Sequence, residues 1–332
     1  MSGSESYQNA AASSDEYKKA ISYHRLGLDY CNQSDYKNAI QYYEQGLEIL
    51  QRVLPSDDPQ LATSYNNIGS VYDNMGEYSK ALSSLKKALE IKEKTLPSNH
   101  LSLATSYNNI GSVYDNMGEY QKALSLHEKA LEIKEKTLPS NHLSLATSYN
   151  NIGNTYDSME QYSKALSSYE KALKIREKTL PSNHPSLATS YNNIGLVYAN
   201  MKDYSKALSS HEKALKIYQE VLPPNHSYLA TSYNNIGSVY DNMGEYQKAL
   251  SSLKKALEIK EKPLPSNHPS LATSYNNIGF IYKNMKDYSK ALSYYERSLD
   301  IWQRALPSTH PHIKSVKKNI QLVTEEMKKN SS

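Results

Sequence analysis

Asparagine stands beside asparagine six times in this chain, at Asn66-Asn67, Asn108-Asn109, Asn150-Asn151, Asn192-Asn193, Asn234-Asn235 and Asn276-Asn277. A primary amide both donates and accepts, so a row of amides can bond the backbone of an extended polypeptide. Each pair lies inside the same nine residues, Leu-Ala-Thr-Ser-Tyr-Asn-Asn-Ile-Gly, which begin at Leu61, Leu103, Leu145, Leu187, Leu229 and Leu271. Asparagine is a poor helix former, so local propensity does not explain the pairs. If the copies stack as packed helices do, they are spaced about 10 Å apart, or about three residues of an extended peptide.

The other chemically suggestive residues point away from catalysis. His100, His142, His184, His226, His268 and His310 recur once per copy. A spacing of about 10 Å is far beyond the roughly 2.1 Å reach of one zinc, so they are assigned to helix entry, and no metal or cofactor is expected. His127 and His211 take a position held elsewhere by Leu85, Tyr169, Leu253 and Tyr295, and read as half-buried packing residues. No phosphate-binding glycine loop, nucleophile elbow or His-Glu-x-x-His motif occurs. Cys31 has no evident activating partner. The chain is therefore expected not to be an enzyme.

A fixed 42-residue period dictates the elements. Leu61, Ala62, Tyr65, Ile68, Gly69 and Tyr72 recur at three- and four-residue steps, which is one face of a helix. A turn at Asn74-Met-Gly-Glu77 leads to a second helix marked by Tyr78, Ala81, Leu82, Leu85, Ala88 and Ile91. Lys92 and Lys94 suit the negative end of its dipole. Pro97 stops the helix, and Ser98 or Asn99 is placed to cap the next one. Pro263 should end its helix early. Gly69 and its equivalents cost about 1 kcal/mol in a helix interior, so a close approach is inferred, with Ala81 opposite. The turn glycine is replaced by Ser34, Glu160, Lys202 and Lys286, so the turn is read as able to tolerate a right-handed conformation.

The organisation expected is a disordered tail over 1–17 and seven repeats over 18–312. The repeats run 19–60, 61–102, 103–144, 145–186, 187–228, 229–270 and 271–312, and a capping helix follows at 313–329. The 332 residues carry a net charge of +4 with both signs mixed, so neither nucleic acid nor a membrane is the expected partner. A single cysteine excludes an internal disulfide, the start of the chain carries no secretion signal, and a cytoplasmic location is expected.

The run Tyr65-x2-Ile68-Gly69-x2-Tyr72-x3-Gly76-x-Tyr78-x2-Ala81-x3-Leu85-x2-Ala88 resembles the tetratricopeptide repeat. The 42-residue length, paired asparagines and Leu-Pro-x-x-His-Pro linker are similar to the repeats of kinesin light chain. The resemblance implies an all-α, right-handed superhelical solenoid of seven antiparallel helix pairs whose first helices line a concave groove. On that face it places Thr63, Thr105, Thr147, Thr189, Thr231 and Thr273. It also places there the second asparagines, Asn67, Asn109, Asn151, Asn193, Asn235 and Asn277. Ser70, Ser112, Asn154, Leu196, Ser238 and Phe280 vary on the same face, and Arg25 replaces the asparagine in the first repeat. The first asparagine of each pair stays open between the groove and a bond to a neighbouring repeat. The function implied is a scaffold that binds an extended peptide or partner domain. One alternative is a kinesin light chain-like cargo adaptor with kinesin heavy chain as partner. Another is the sensor region of a larger enzyme or signalling ATPase.

Overall fold

The computed structural model describes the backbone of residues 2–331 and the side chains of residues 14–330. The described residues form fifteen helices and no strand. In order these are α1 (Ser2–Asn32), α2 (Tyr36–Val53), α3 (Pro59–Asn74), α4 (Tyr78–Thr95), α5 (Leu101–Asn116), α6 (Tyr120–Thr137), α7 (Leu143–Ser158) and α8 (Tyr162–Thr179). There follow α9 (Pro185–Asn200), α10 (Tyr204–Val221), α11 (Ser227–Asn242), α12 (Tyr246–Glu261), α13 (Pro269–Asn284), α14 (Tyr288–Ala305) and α15 (Pro311–Ser331). No described helix is long and apolar enough to cross a membrane.

The chain divides into two compact units, 1–175 and 176–332. In the first, each helix from α1 to α6 packs on the next. In the second, the same holds from α9 to α15. Both units are all-α repeat stacks, as the period implies. Their cores are narrow seams of small and branched residues: Leu61, Ala62, Ile68, Ala81 and Ala88 are at most 3% exposed. The C-terminal helix α15 seals the second seam with Ile313, Val316 and Val323, all buried. It leaves Lys317 and Lys318 in solvent. α12 is two residues shorter than the other second helices, as Pro263 requires.

Helix α1 runs from Ser2 to Asn32, and Tyr17 within it is tied to Gln60. Ala10-Ala-Ala12 favours helix, and no breaker separates it from the repeat. The caps of the first helices are the histidines, not Ser98 or Asn99. His100 Nδ1 accepts from Ser102 N at 3.1 Å, and His142, His184, His226 and His268 cap their helices the same way. Asp58 does this work in the second repeat.

The hairpin turns are left-handed in all seven repeats. Gly76, Gly118 and Gly244 have φ near 75°, but Ser34, Glu160, Lys202 and Lys286 also lie at 57–63°. The closure of the preceding helix sets this geometry: Lys202 N donates to Ala199 O at 3.0 Å and Asp203 N to Tyr198 O at 2.9 Å. A side chain in this region carries strain, so Lys202→Gly should raise stability by about 0.5–1 kcal/mol and Gly118→Lys should lower it by a similar amount. Urea unfolding midpoints check both.

The mid-helix glycine also has a different partner from the one expected. A Cβ on Gly69 would lie 2.6 Å from Leu85 Cγ, and one on Gly153 would lie 2.7 Å from Tyr169 Cε1. Ala81 contributes only its carbonyl oxygen, at 3.2 Å. The glycine makes room for the large residue one turn beyond the alanine.

Candidate partner-binding groove

Successive odd-numbered helices approach one another directly, α3 to α5 and α5 to α7 in the first unit and α9 to α11 in the second. This convergence makes the odd-helix side the inner face of each stack. Thr63, Thr105, Thr147, Thr189, Thr231 and Thr273 are exposed, as are Ser70, Asn154 and Ser238, while Ser112 and the second asparagines are half-buried. Leu196 and Phe280 are 43% and 39% exposed, large apolar groups in otherwise polar surroundings. Arg25 is exposed on α1 at the position of Asn67.

Hydrogen bonds divide these side chains by role. The Thr63 hydroxyl donates to Pro59 O at 3.2 Å and Ser70 to Asn66 O at 3.0 Å, so each offers a ligand only its lone pairs. Asn109 Nδ2 donates to Asn66 Oδ1 of the preceding repeat at 2.8 Å. Asn116 does the same to Asp73 at 2.9 Å, and Asn284 to Asp241 at 3.1 Å. These amide rungs bridge neighbouring odd helices on the inner face. First asparagines also turn into the hairpin: Asn108 Oδ1 lies 3.0 Å from His127 Nδ1, and Asn192 Oδ1 lies 3.0 Å from His211 Nδ1.

His127 and His211 are fully buried rather than half-buried. Their environments differ at one residue. His127 Nε2 meets Asp115 Oδ2 at 3.0 Å, whereas Ala199 stands at the equivalent place beside His211, whose Nε2 has no partner. Burial lowers the His211 pKa to about 4. Burial raises that of the Cys31 thiol, which keeps it protonated.

A second set of contacts was missed in the sequence. Lys92, in the last turn of α4, is half-buried: its Nζ donates to Ser106 Oγ of the next repeat at 2.8 Å, and burial lowers its pKa. Lys134 reaches Ser148 at 2.8 Å and Lys260 reaches Ser274 at 3.1 Å. Tyr107 donates to Glu93 at 2.8 Å and Tyr149 to Glu135 at 2.6 Å. Burial and then that carboxylate push the Tyr149 hydroxyl up to about 12. Both pairings span 14 residues, so a recurring polar pair at that separation was the available signal.

The tetratricopeptide repeat model matches residues 18–94, 102–178 and 186–262, and a second tetratricopeptide repeat model matches 271–312. No curated protein matches the sequence. Among solved structures, BtubC (BKLC) from P. vanneervenii is 23% identical, with a TM-score of 0.60 over 70% of this chain and 94% of its own. A candidate kinesin light chain of Podosopora anserina with nearly identical TPR-like repeats is 27% identical, with a TM-score of 0.56 over 61% of this chain and 96% of its own. A Rap protein complexed with Competence and Sporulation Factor is 18% identical, with a TM-score of 0.58 over 86% of this chain and 75% of its own. Matched repeats along most of its length, the 42-residue period and the shared fold have one reading: this chain belongs to the tetratricopeptide repeat family and is of the kinesin light chain-like type.

Proposed function

We propose that the chain is a non-catalytic scaffold that binds an extended peptide or a partner's extended segment along the inner face of its odd helices, in the cytoplasm. The observation that carries this is the regular presentation of threonine, asparagine and serine on successive odd helices. Hydroxyl and amide groups together supply both donors and acceptors, the kinds of group that an extended backbone alternates. A Rap protein of the same fold is complexed with Competence and Sporulation Factor, which supports a peptide or protein as the occupant. The test uses 12-residue peptides selected from a random displayed library against the wild-type chain. Asn151→Ala, Asn193→Ala and Asn235→Ala together should weaken their binding at least tenfold while circular dichroism keeps its helical signal. Undiminished binding would remove the groove assignment.

The likeness to the candidate kinesin light chain favours a second reading, a cargo adaptor of a microtubule motor. Co-purification with a kinesin heavy chain tests it, and repeated failure to do so would remove it.

A further inference from the structure

The inner face of the first unit has a charge unlike that of the whole chain. Helices α3, α5 and α7 each contain a single residue that is charged at neutral pH, and each is an aspartate: Asp73, Asp115 and Asp157. The chain itself is at +4. No lysine or arginine lies on these three helices, so this wall is acidic on a basic protein.

One aspartate sits in a built cavity. About 280 Å³ of space between α5 and α7 is lined by Ser112, Asp115, Asn151 and Asn154, among others. Three departures from the repeat converge on it. His127 replaces leucine or tyrosine, Thr155 replaces the valine or isoleucine of the later copies, and Asn154 replaces serine, leucine or phenylalanine. His127 and Thr155 are fully buried, and both bond the same oxygen, Asp115 Oδ2, at 3.0 and 2.9 Å. The other oxygen, Oδ1, is buried with no donor. Asn154 Oδ1 is already taken by the Tyr169 hydroxyl at 2.7 Å. The carboxylate is thus fixed in place and short of one donor, and a charge-assisted donor suits it best.

We propose that the inner face of α3, α5 and α7 docks an extended basic segment, one lysine or arginine of which seats against Asp115. This rests on the groove reading above and adds the chemical class of the partner. The repeat spacing of about 10 Å places cations three residues to either side near Asp73 and Asp157. Arg25 on α1 has the opposite sign and marks where the basic stretch of the partner ends.

Three labelled peptides test this against the full chain by fluorescence anisotropy: Ser-Ser-Lys repeated four times, and the same peptide with glutamine or with glutamate at each lysine. The lysine peptide should bind at least tenfold tighter than the glutamine peptide at low salt, with the difference shrinking as salt is added. The glutamate peptide should not bind. Asp73→Asn with Asp157→Asn should remove most of the lysine preference and leave the glutamine peptide unaffected. Asp115→Asn should act likewise, and the double variant carries the test if loss of the His127 contact unfolds that protein. Equal affinity for lysine and glutamine peptides, or preference for glutamate, overturns the proposal and leaves the groove reading standing. Failure of all three while library-selected peptides still bind overturns this proposal alone.

Discussion

Lowering the pH from 7 to 4 should destabilise the α9–α10 hairpin by about 3 kcal/mol through His211 alone. Its ring is fully buried, donates from Nδ1 to Asn192, and has nothing beside Nε2. Burial holds its pKa at about 4, against an ordinary 6.5. Between those values the unfolded chain binds a proton that the folded chain refuses, so stability falls as pH falls. The contribution is complete above pH 6.5 and lost by about pH 4. A change of this size corresponds to about 3 kcal/mol. His24 adds to the same trend in the first unit, because burial lowers its pKa as well. In a repeat array the loss is local, so amide exchange in α9 and α10 should report it. His211→Leu, which installs the residue found at Leu253, should flatten the pH dependence. Ala199→Asp, which supplies the carboxylate that Asp115 gives His127, should also reduce it. Parallel pH curves for wild type and His211→Leu would refute the assignment.

Gly69→Ala should cost about 1–3 kcal/mol even though alanine is the better helix former, because the new methyl lies 2.6 Å from Leu85 Cγ. Leu85→Ala alone should cost about 2–5 kcal/mol by leaving a cavity in a fully packed seam. The double variant should cost less than the sum by about 1 kcal/mol or more, since each change relieves the other. Additive losses would show that the glycine does not serve Leu85. The cycle separates this pairing from the glycine–alanine pairing that the sequence suggests.

The all-α repeat fold, its C-terminal helix and the buried helix faces were legible because they depend on period and on apolar spacing. Leu61, Ile68, Ala81 and Ala88 are buried where the spacing puts them. The left-handed turn at Lys202 was not legible, because a residue type reports a conformational preference and not the closure that overrides it. The partner of Gly69 was missed for a related reason: four residues on one helix face are neighbours, and only coordinates choose between Ala81 and Leu85. The asparagine pairs were legible as unusual. Their division into hairpin bonds at Asn108 and inter-repeat rungs at Asn109 depends on which repeat each amide reaches. The Asp115 cluster was visible only as three separate departures from the repeat, since Thr155 and His127 come from different helices and meet in the fold.

The central claim is that the odd-helix face holds the partner. It is tested most directly by comparing two triple variants for binding of the library-selected peptides. One is Asn151→Ala, Asn193→Ala and Asn235→Ala on the inner face. The other is Lys87→Ala, Lys129→Ala and Lys171→Ala on the second helices α4, α6 and α8, whose side chains lie over the rings of Tyr65, Tyr107 and Tyr149 on the first helices. The account predicts at least a tenfold loss for the asparagine variant and little change for the lysine variant, with helicity intact in both. Loss of binding in the lysine variant alone would contradict it.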